Sequence, residues 1–414
     1  ENVRKSELTR EKQRLLWEER KSMYKVMAIY GYPVHYTAPM FKQMSNDSEI
    51  DLNVVYCKTA EYDQPSYDND GNMVIGNIKV LDGYKYHFLK ELIHAKTPAP
   101  QKLINPEVQS YIKQQKPDAI IVGISYWSPT TWFTIKEARK WKIPLITRAT
   151  VEKGRNRNTA LKIIKKVVVG KYCRMMTSGI YESEEQRNYL IEYGMDSQSL
   201  YMCPCAVDNE YFQHLAERYD RKEARNRLNV SDDDTIVIAF VGALSERKRP
   251  MDLIRAVEKL QNQGMDIVTL LIGKGDKRDE IEEYICTHHI KDVQMCGFVK
   301  QEKLSEYLVA TDLYVLPSLN DASPKALNEA MNFSLPIIVS DGVETANEML
   351  NEGENGYLFR AGDVEDLKNK IEDAIMSKRL KEMGKKSKEI VEKSGYAEMI
   401  EGWKNAIKYA LHTK

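Results

Sequence analysis

Short apolar runs of strand length, alternating with stretches of helical periodicity, are the feature that most restricts what this chain can fold into. The runs fall at residues 26–30, 50–55, 119–124, 144–147, 236–241, 268–272, 293–296, 313–316 and 336–340. They are mostly apolar rather than alternating as a half-exposed strand would. Such strands are buried on both faces, the condition inside a parallel sheet covered by helices. Helical patterns occupy 132–142, 182–193, 250–263, 279–286, 303–310, 324–332 and 364–376. The alternation predicts an α/β chain with two doubly wound domains. Length agrees, since 414 residues exceed one ordinary core and suggest two domains of about 200 residues each.

Composition narrows the partners. Hydrophobic residues make up 42% and charged residues 29%, as expected of a soluble globular protein. Lys+Arg and Asp+Glu both total 61, so net charge predicts neither nucleic acid nor a membrane as partner. No apolar run approaches the roughly 20 residues that a spanning helix needs. The stretch from Glu1 to Lys25 is a charged helical pattern without a signal-peptide core, although a chain beginning without Met is open to a trimmed leader. Cysteines at 57, 173, 203, 205, 286 and 296 form no Cys-x-x-Cys pair, and reduced, buried thiols in a cytoplasmic protein are expected. The triplet Asp232-Asp-Asp234 reads as a solvated turn rather than a metal site. Between Cys57 and Tyr86 turn formers cluster without periodicity, which predicts irregular loops or a hairpin.

Ligands of an open parallel sheet sit at the carboxyl ends of its strands. After the run 313–316, Asp321 and Glu329 bracket a turn and the opening of a helix. A helix N-terminus offers unpaired N–H groups and a positive dipole end to phosphate. Ionised carboxylates only accept hydrogen bonds, which suits hydroxyl-rich ligands. Phosphate beside hydroxyls suggests a nucleotide sugar; by itself the segment fits an ordinary acidic helix start equally well. After 236–241, Gly242 permits close approach of the backbone to a ligand, and Arg247 or Lys248 can reach a diphosphate. Alone, that turn is as well explained as solvated and basic. Gly273-Lys-Gly275 is a second glycine turn, weak because it lacks the third glycine of a dinucleotide fingerprint. Gly297-Phe298-Val299 ends another run and offers its backbone to a base edge, unless Phe298 is core.

Taken in order, these segments resemble glycosyltransferase family 4, the retaining nucleotide-sugar transferases of the two-domain GT-B fold. The resemblance rests on Phe240-Val-Gly242 with Lys248, Gly273-Lys-Gly275, Gly297-Phe298, residues 310–318 and Asn328-Glu-Ala-Met331. Residues 335–341, Gly353-Glu-Asn-Gly356 and Gly362-Asp363 continue it, and Pro204-Cys-Ala-Val-Asp208 with Phe212 is similar to the family's domain junction. It covers the chain from about residue 115 onward, and the first 110 residues match only loosely.

The resemblance implies two Rossmann-like domains facing across a cleft. It places Asp321 on the donor-sugar hydroxyls, Glu329 on the ribose hydroxyls, and Lys248 with Arg247 on the diphosphate. Backbone at Ser323, Pro324, Lys325 and Ala326 completes that seat, Gly242 and Gly275 flank it, and Phe298 and Val299 frame the base. No metal or other cofactor is implied, because basic side chains and a helix dipole take its place. Three departures stand out. Asp321 is shorter than the usual Glu, and Ala243 stands where many members carry Arg. Gly123-Ile-Ser-Tyr-Trp-Ser-Pro129 lacks the His often found near the reacting carbon, as in one branch of the family. His35, after the first run, is the acceptor-side candidate, against the commoner reading of a solvated loop histidine.

From Lys153 to Arg174 the chain carries Arg155, Arg157, Lys162, Lys165, Lys166 and Lys171 and no acidic residue, around the amphipathic stretch 161–169. Such a patch suits an anionic membrane surface holding a lipid-linked acceptor, or is a solvated helix face. The expectation is a retaining glycosyltransferase, cytoplasmic or peripheral at the inner face of a membrane, moving a sugar from a nucleoside-diphosphate sugar to a saccharide or lipid-linked acceptor. Surface polysaccharide or glycolipid synthesis is its expected setting. A GT-B epimerase or phosphorylase and a non-catalytic nucleotide-sugar-binding protein are the alternatives. Expected boundaries are a charged helix at 1–24, an acceptor domain at 25–208, a linker at 209–234, a donor domain at 235–395, and a C-terminal helix at 396–414 crossing back to the first domain.

Overall fold

The structure, a computed structural model, describes residues 23–34, 36–59, 66–67, 73–75, 78–93, 99–148, 159–230 and 234–413. Most of the charged N-terminal stretch and His35 therefore lie outside the described residues. In the first domain the strands are β1 (Tyr24–Tyr30), β2 (Ile50–Tyr56), β3 (Ser66–Tyr67), β4 (Met73–Ile75), β5 (Ile78–Lys79), β6 (Lys85–Phe88), β7 (Ala119–Val122), β8 (Leu145–Arg148), β9 (Ser178–Tyr181) and β10 (Leu200–Met202). In the second they are β11 (Ile236–Val241), β12 (Ile267–Ile272), β13 (Val293–Gly297), β14 (Leu313–Leu316), β15 (Ile337–Ser340) and β16 (Gly356–Phe359).

Each domain is built on one parallel sheet. The first has the order β10-β9-β8-β7-β1-β2-β6, and the second β13-β12-β11-β14-β15-β16. In both, the chain steps outward from the middle, returns, and steps out the other way. That reversal leaves a crevice between β1 and β7 and another between β11 and β14, at the carboxyl ends. Continuous burial explains the strands: Val237 to Phe240 and Ala119 to Val122 are closed off on both faces. The two doubly wound, Rossmann-like domains facing across a cleft are the GT-B architecture.

Every predicted run is a strand. Others were not predicted, among them β6, β9, β10 and β16. The segment from Cys57 to Tyr86 holds, among its described residues, the small antiparallel sheet β3-β4-β5 and the start of β6. Residues 209–230, expected as a linker, are the helices Asn209–Arg218 and Arg221–Arg227 and a short turn. Their Phe212, Leu215, Ala224, Leu228 and Val230 enter the core of the second domain, because the charged faces turn outward and the apolar stripe turns in. The last helix, Tyr396–His412, lies against the first domain, its Trp403, Ala406, Ile407 and Ala410 buried with Val26, Ala28, Ile121 and Ile180.

Candidate active site

β11 and β14 lie side by side at the switch point of the second sheet. After β11 the chain makes a tight turn, in which the N–H groups of Lys248 and Arg249 donate to the Ser245 carbonyl. Arg249 adopts a left-handed conformation before Pro250 opens helix Pro250–Asn262. The turn carries Lys248 back across the sheet, where its ammonium pairs with the Asp321 carboxylate. Arg247 is more exposed, 3.7 Å from the other carboxylate oxygen, and donates to the Asn320 carbonyl at 2.8 Å. Backbone fixes Asp321 as well: its N–H donates to Gly342 at 2.9 Å, and its carbonyl accepts from Glu344 at 2.8 Å. At 8% exposure the carboxylate requires a partner, and Lys248 provides one.

Backbone hydrogen bonds join the neighbouring strand ends. Gly242 N–H donates to Ile272 at 2.9 Å, Leu244 N–H to Lys274 at 2.9 Å, and Gly273 N–H to Gly297 at 2.8 Å. A Cβ on Gly273, whose φ is 147°, would lie 1.8 Å from the Gly242 carbonyl oxygen, and one on Gly275 2.0 Å from that of Leu244. Loop-to-loop contact thus accounts for both glycines. Gly273→Ala is expected to destabilise the protein by about 1–3 kcal/mol, since the loop must move or strain. An unchanged midpoint in calorimetry would show that the loops part without cost.

From Asp321 the chain runs through Ser323 and buried Pro324 into helix Lys325–Asn332, which has no side-chain cap and no acidic residue in its first turn. Its positive end is therefore uncompensated by its own side chains. Three of its residues face the domain junction. Lys325 Nζ donates to Cys205 Sγ at 3.1 Å, Asn328 donates to the Cys205 carbonyl, and Asn332 donates to Asn209 Oδ1 at 2.9 Å. Glu329 instead lines a cavity of about 240 Å³ with Tyr36, Pro39, Ala206, Val207, Asp208, Tyr211, Phe212, Gln301, Lys325 and Tyr396, drawn from both domains and their junction.

Burial pushes the Glu329 carboxyl up to about 7 from an ordinary 4.5, against the pull of Lys325. The folded chain thus binds this proton more tightly than the unfolded one. The stability it contributes is full below about pH 4.5 and is lost as pH rises through about 7. Glu329→Gln is expected to flatten that part of the profile of thermal midpoint against pH. An unaltered slope would mean that another group titrates there.

The structure brings Lys248, Arg247 and Asp321 together, with Ser323, Pro324, Lys325 and Ala326 leading onto the adjoining helix. Gly242 and Gly275 stand in the strand-end loops. Phe298 is 66% exposed and so is not core. Among the described residues, Gln301 rather than Phe298 or Val299 lines the cavity. Asp321 is outside that lining and pairs with Lys248, while Glu329 is in it. Sequence reasoning assigned no role to Arg148, Glu182 or the Cys205 thiol: Arg148 pairs with Glu182 at the end of the first sheet, and Cys205 accepts from Ser323 and Lys325 at the junction. Arg148 directly follows the predicted run that becomes β8, which is the signal that could have found it; Glu182 follows β9, a strand the sequence does not mark. Among the described residues no group of three or more His, Cys, Asp or Glu is placed to hold a metal.

Comparison with known proteins agrees with this geometry. The family model described as "Glycosyl transferases group 1" matches residues 220–391. The sulfoquinovosyl transferase of Arabidopsis thaliana is 26% identical over 191 residues, 45% of this chain and 35% of that protein. The UDP-Gal:alpha-D-GlcNAc-diphosphoundecaprenol alpha-1,3-galactosyltransferase of Escherichia coli is 24% identical over 205 residues, 49% of this chain and 52% of that one. The chain thus spans about a third to half the length of these relatives. Among solved structures, Anabaena HepE in complex with UDP superposes with a TM-score of 0.72 at 15% identity, covering 93% of this chain and all of that one. The chain has the GT-B fold, and its second domain is similar in sequence to the group 1 glycosyl transferases.

Proposed function

We propose that this chain is a glycosyltransferase moving a sugar from a nucleoside-diphosphate sugar to an acceptor hydroxyl. The observation that carries the reading is the Lys248–Asp321 pair beside the uncapped N-terminus of helix Lys325–Asn332, at the switch point of the sheet. Lys248, with Arg247, meets the diphosphate and stabilises the charge that grows on it as the glycosidic bond breaks. Asp321, released from part of that pairing, accepts hydrogen bonds from the sugar hydroxyls. Glu329 accepts from the ribose hydroxyls in a cavity walled by Tyr36, Tyr211 and Tyr396. Cationic side chains and the helix end meet the phosphate charge, so the reading needs no metal. Membership of family 4 and retention of anomeric configuration are its finer parts, supported by the order of the motifs.

For the acceptor we favour a saccharide or lipid-linked hydroxyl in surface polysaccharide or glycolipid synthesis, the kind of acceptor that the Escherichia coli relative's name describes. Of the basic patch, the described part includes helix Thr159–Cys173, where Ile164 is 50% and Val167 63% exposed beside exposed Lys166. Lys165 and Lys171 lie instead over the rings of Tyr189 and Trp132. Apolar and cationic exposure on one helix supports peripheral contact with an anionic membrane from the cytoplasmic side. No helix among the described residues is long and apolar enough to cross a membrane.

A thermal-shift panel of UDP, GDP, ADP and their sugar conjugates, followed by transfer assays, tests the reading. One nucleoside diphosphate is expected to raise the midpoint, as binding to the folded state alone requires. Its conjugate is expected to yield a glycoside with retained configuration only when acceptor is present. If none stabilises the protein, the reading falls; turnover of donor without acceptor points to an epimerase or phosphorylase.

A further inference from the structure

After β15 the chain forms a loop, residues 341–345, that is tied by backbone to the donor carboxylate. The Asp321 N–H donates to Gly342 at 2.9 Å, and the Glu344 N–H donates to the Asp321 carbonyl at 2.8 Å. Between these bonds Asp321 and Val343 form an isolated parallel bridge. The packing has no slack. A Cβ on Gly342 would lie 2.4 Å from the Ser318 carbonyl oxygen and 2.5 Å from that of Leu319. Leu319 in turn donates its N–H to the Arg247 carbonyl at 2.8 Å. A shift of residues 342–344 therefore carries Asp321 with it.

The same loop meets the first domain through its side chains. Helix Glu184–Glu192 follows β9 and is capped by Ser183, whose hydroxyl accepts from the Gln186 N–H at 3.3 Å. The Gln186 amide oxygen accepts from the Glu182 N–H at 2.9 Å. A backbone N–H can only donate, so this bond fixes which way the amide points. Its nitrogen faces the second domain and donates to the Glu344 carboxylate at 3.3 Å. Both side chains are buried. Four residues further, Glu348 accepts from the Glu184 N–H at 2.9 Å, at the positive end of the same helix. Glu344 is thus bonded at both ends: its N–H holds Asp321, and its carboxylate meets Gln186 of the first domain.

We propose that Gln186 and Glu344 are positioning residues that couple the meeting of the two domains to Asp321. Docking of helix Glu184–Glu192 sets residues 342–344, and these set the carboxylate that faces the sugar. The inference rests on the nucleotide-sugar reading and adds the first domain's part in it. Lys248 and Arg247 hold the diphosphate from within the second domain, so uncoupling falls on turnover more than on donor affinity.

The test exchanges hydrogen-bond donor and acceptor in the full chain, using the nucleotide sugar found by the thermal-shift panel. Gln186→Glu keeps an oxygen for the Glu182 N–H but sets a second carboxylate against Glu344. It is expected to lower kcat about tenfold while the KM for the nucleotide sugar changes less than about threefold. Adding Glu344→Gln offers an amide to that carboxylate, and the double variant is expected to return to within about threefold of wild-type kcat. Losses that multiply instead, or a KM that rises as kcat falls, overturn the coupling while the nucleotide-sugar reading stands. If wild type binds no nucleoside diphosphate, both fall. Should Gln186→Glu not fold, Glu348→Ala decides through the second contact: reduced kcat with KM retained supports the coupling, and unchanged kcat overturns it.

Discussion

Lys248→Met is expected to lower sugar transfer about 100- to 1000-fold, the scale seen when a group stabilising transition-state charge is removed. Two effects combine. The leaving diphosphate loses its nearest cation, and Asp321 is left buried with only Arg247, at 3.7 Å, to balance it. An unbalanced carboxylate also repels the incoming diphosphate, so donor affinity falls as well, but by less than turnover. Lys248→Arg keeps the charge on a planar fork that cannot repeat the single-point contact, and intermediate activity is expected. Steady-state kinetics with the identified donor read both variants. If Lys248→Met transfers sugar within threefold of wild type, Lys248 is not the diphosphate ligand.

The second large effect concerns stability. Trp403→Ala is expected to cost about 3–5 kcal/mol, the range for truncating a buried aromatic. Trp403 is 1% exposed in a cluster that joins helix Tyr396–His412 to β1, β7, β8 and β9. Around it, Ser178 Oγ donates to the Ala406 carbonyl at 2.8 Å, Lys404 pairs with Asp47 at 3.0 Å, and Lys408 with Glu49 at 2.9 Å. Partly exposed ion pairs contribute up to about 1 kcal/mol each and cannot replace the lost packing. The indole N–H of Trp403 has no hydrogen-bond partner among the described residues. Trp403→Phe therefore keeps most of the volume and removes an unsatisfied donor, with a loss of about 1 kcal/mol expected. Calorimetry of the whole chain should show the first transition lowered by Trp403→Ala; two domains make a single two-state fit inappropriate. An unshifted first transition would mean that this helix does not hold the first domain together.

Sequence revealed those parts of the fold whose pattern repeats locally. Runs such as 236–241 are continuous apolar stretches and could be read directly. β9, with Ser178 and Gly179, and the three-residue β10 are too short and mixed to stand out, and only the sheet shows them to be strands. The charged helical stretch from residue 209 reads as a linker, and in helix Asn209–Arg218 it is Phe212 and Leu215, three apart, that carry the burial. At the site, spacing marked Asp321 and Glu329 as a pair, but folding gives one to Lys248 and turns the other into the junction cavity. The side chains of Ser323 and Lys325, whose backbone the resemblance places at the donor, also meet Cys205 at the domain junction. Gln186 escaped notice because its contact with Glu344 depends on how two domains meet, and no local pattern encodes that.

The crossing of helix Tyr396–His412 onto the first domain bears on how the chain is made. Synthesis delivers strands β1 to β10 first, yet the core around Val26, Ala28 and Ile121 lacks Trp403 and Ile407 until the entire second domain has emerged. The earlier-made sheet therefore waits with an uncovered apolar face while the later one, whose own core includes none of that helix, is free to close. Vectorial folding of this protein should run against the order of its domains, with the second-made half native first and the first-made half finished last.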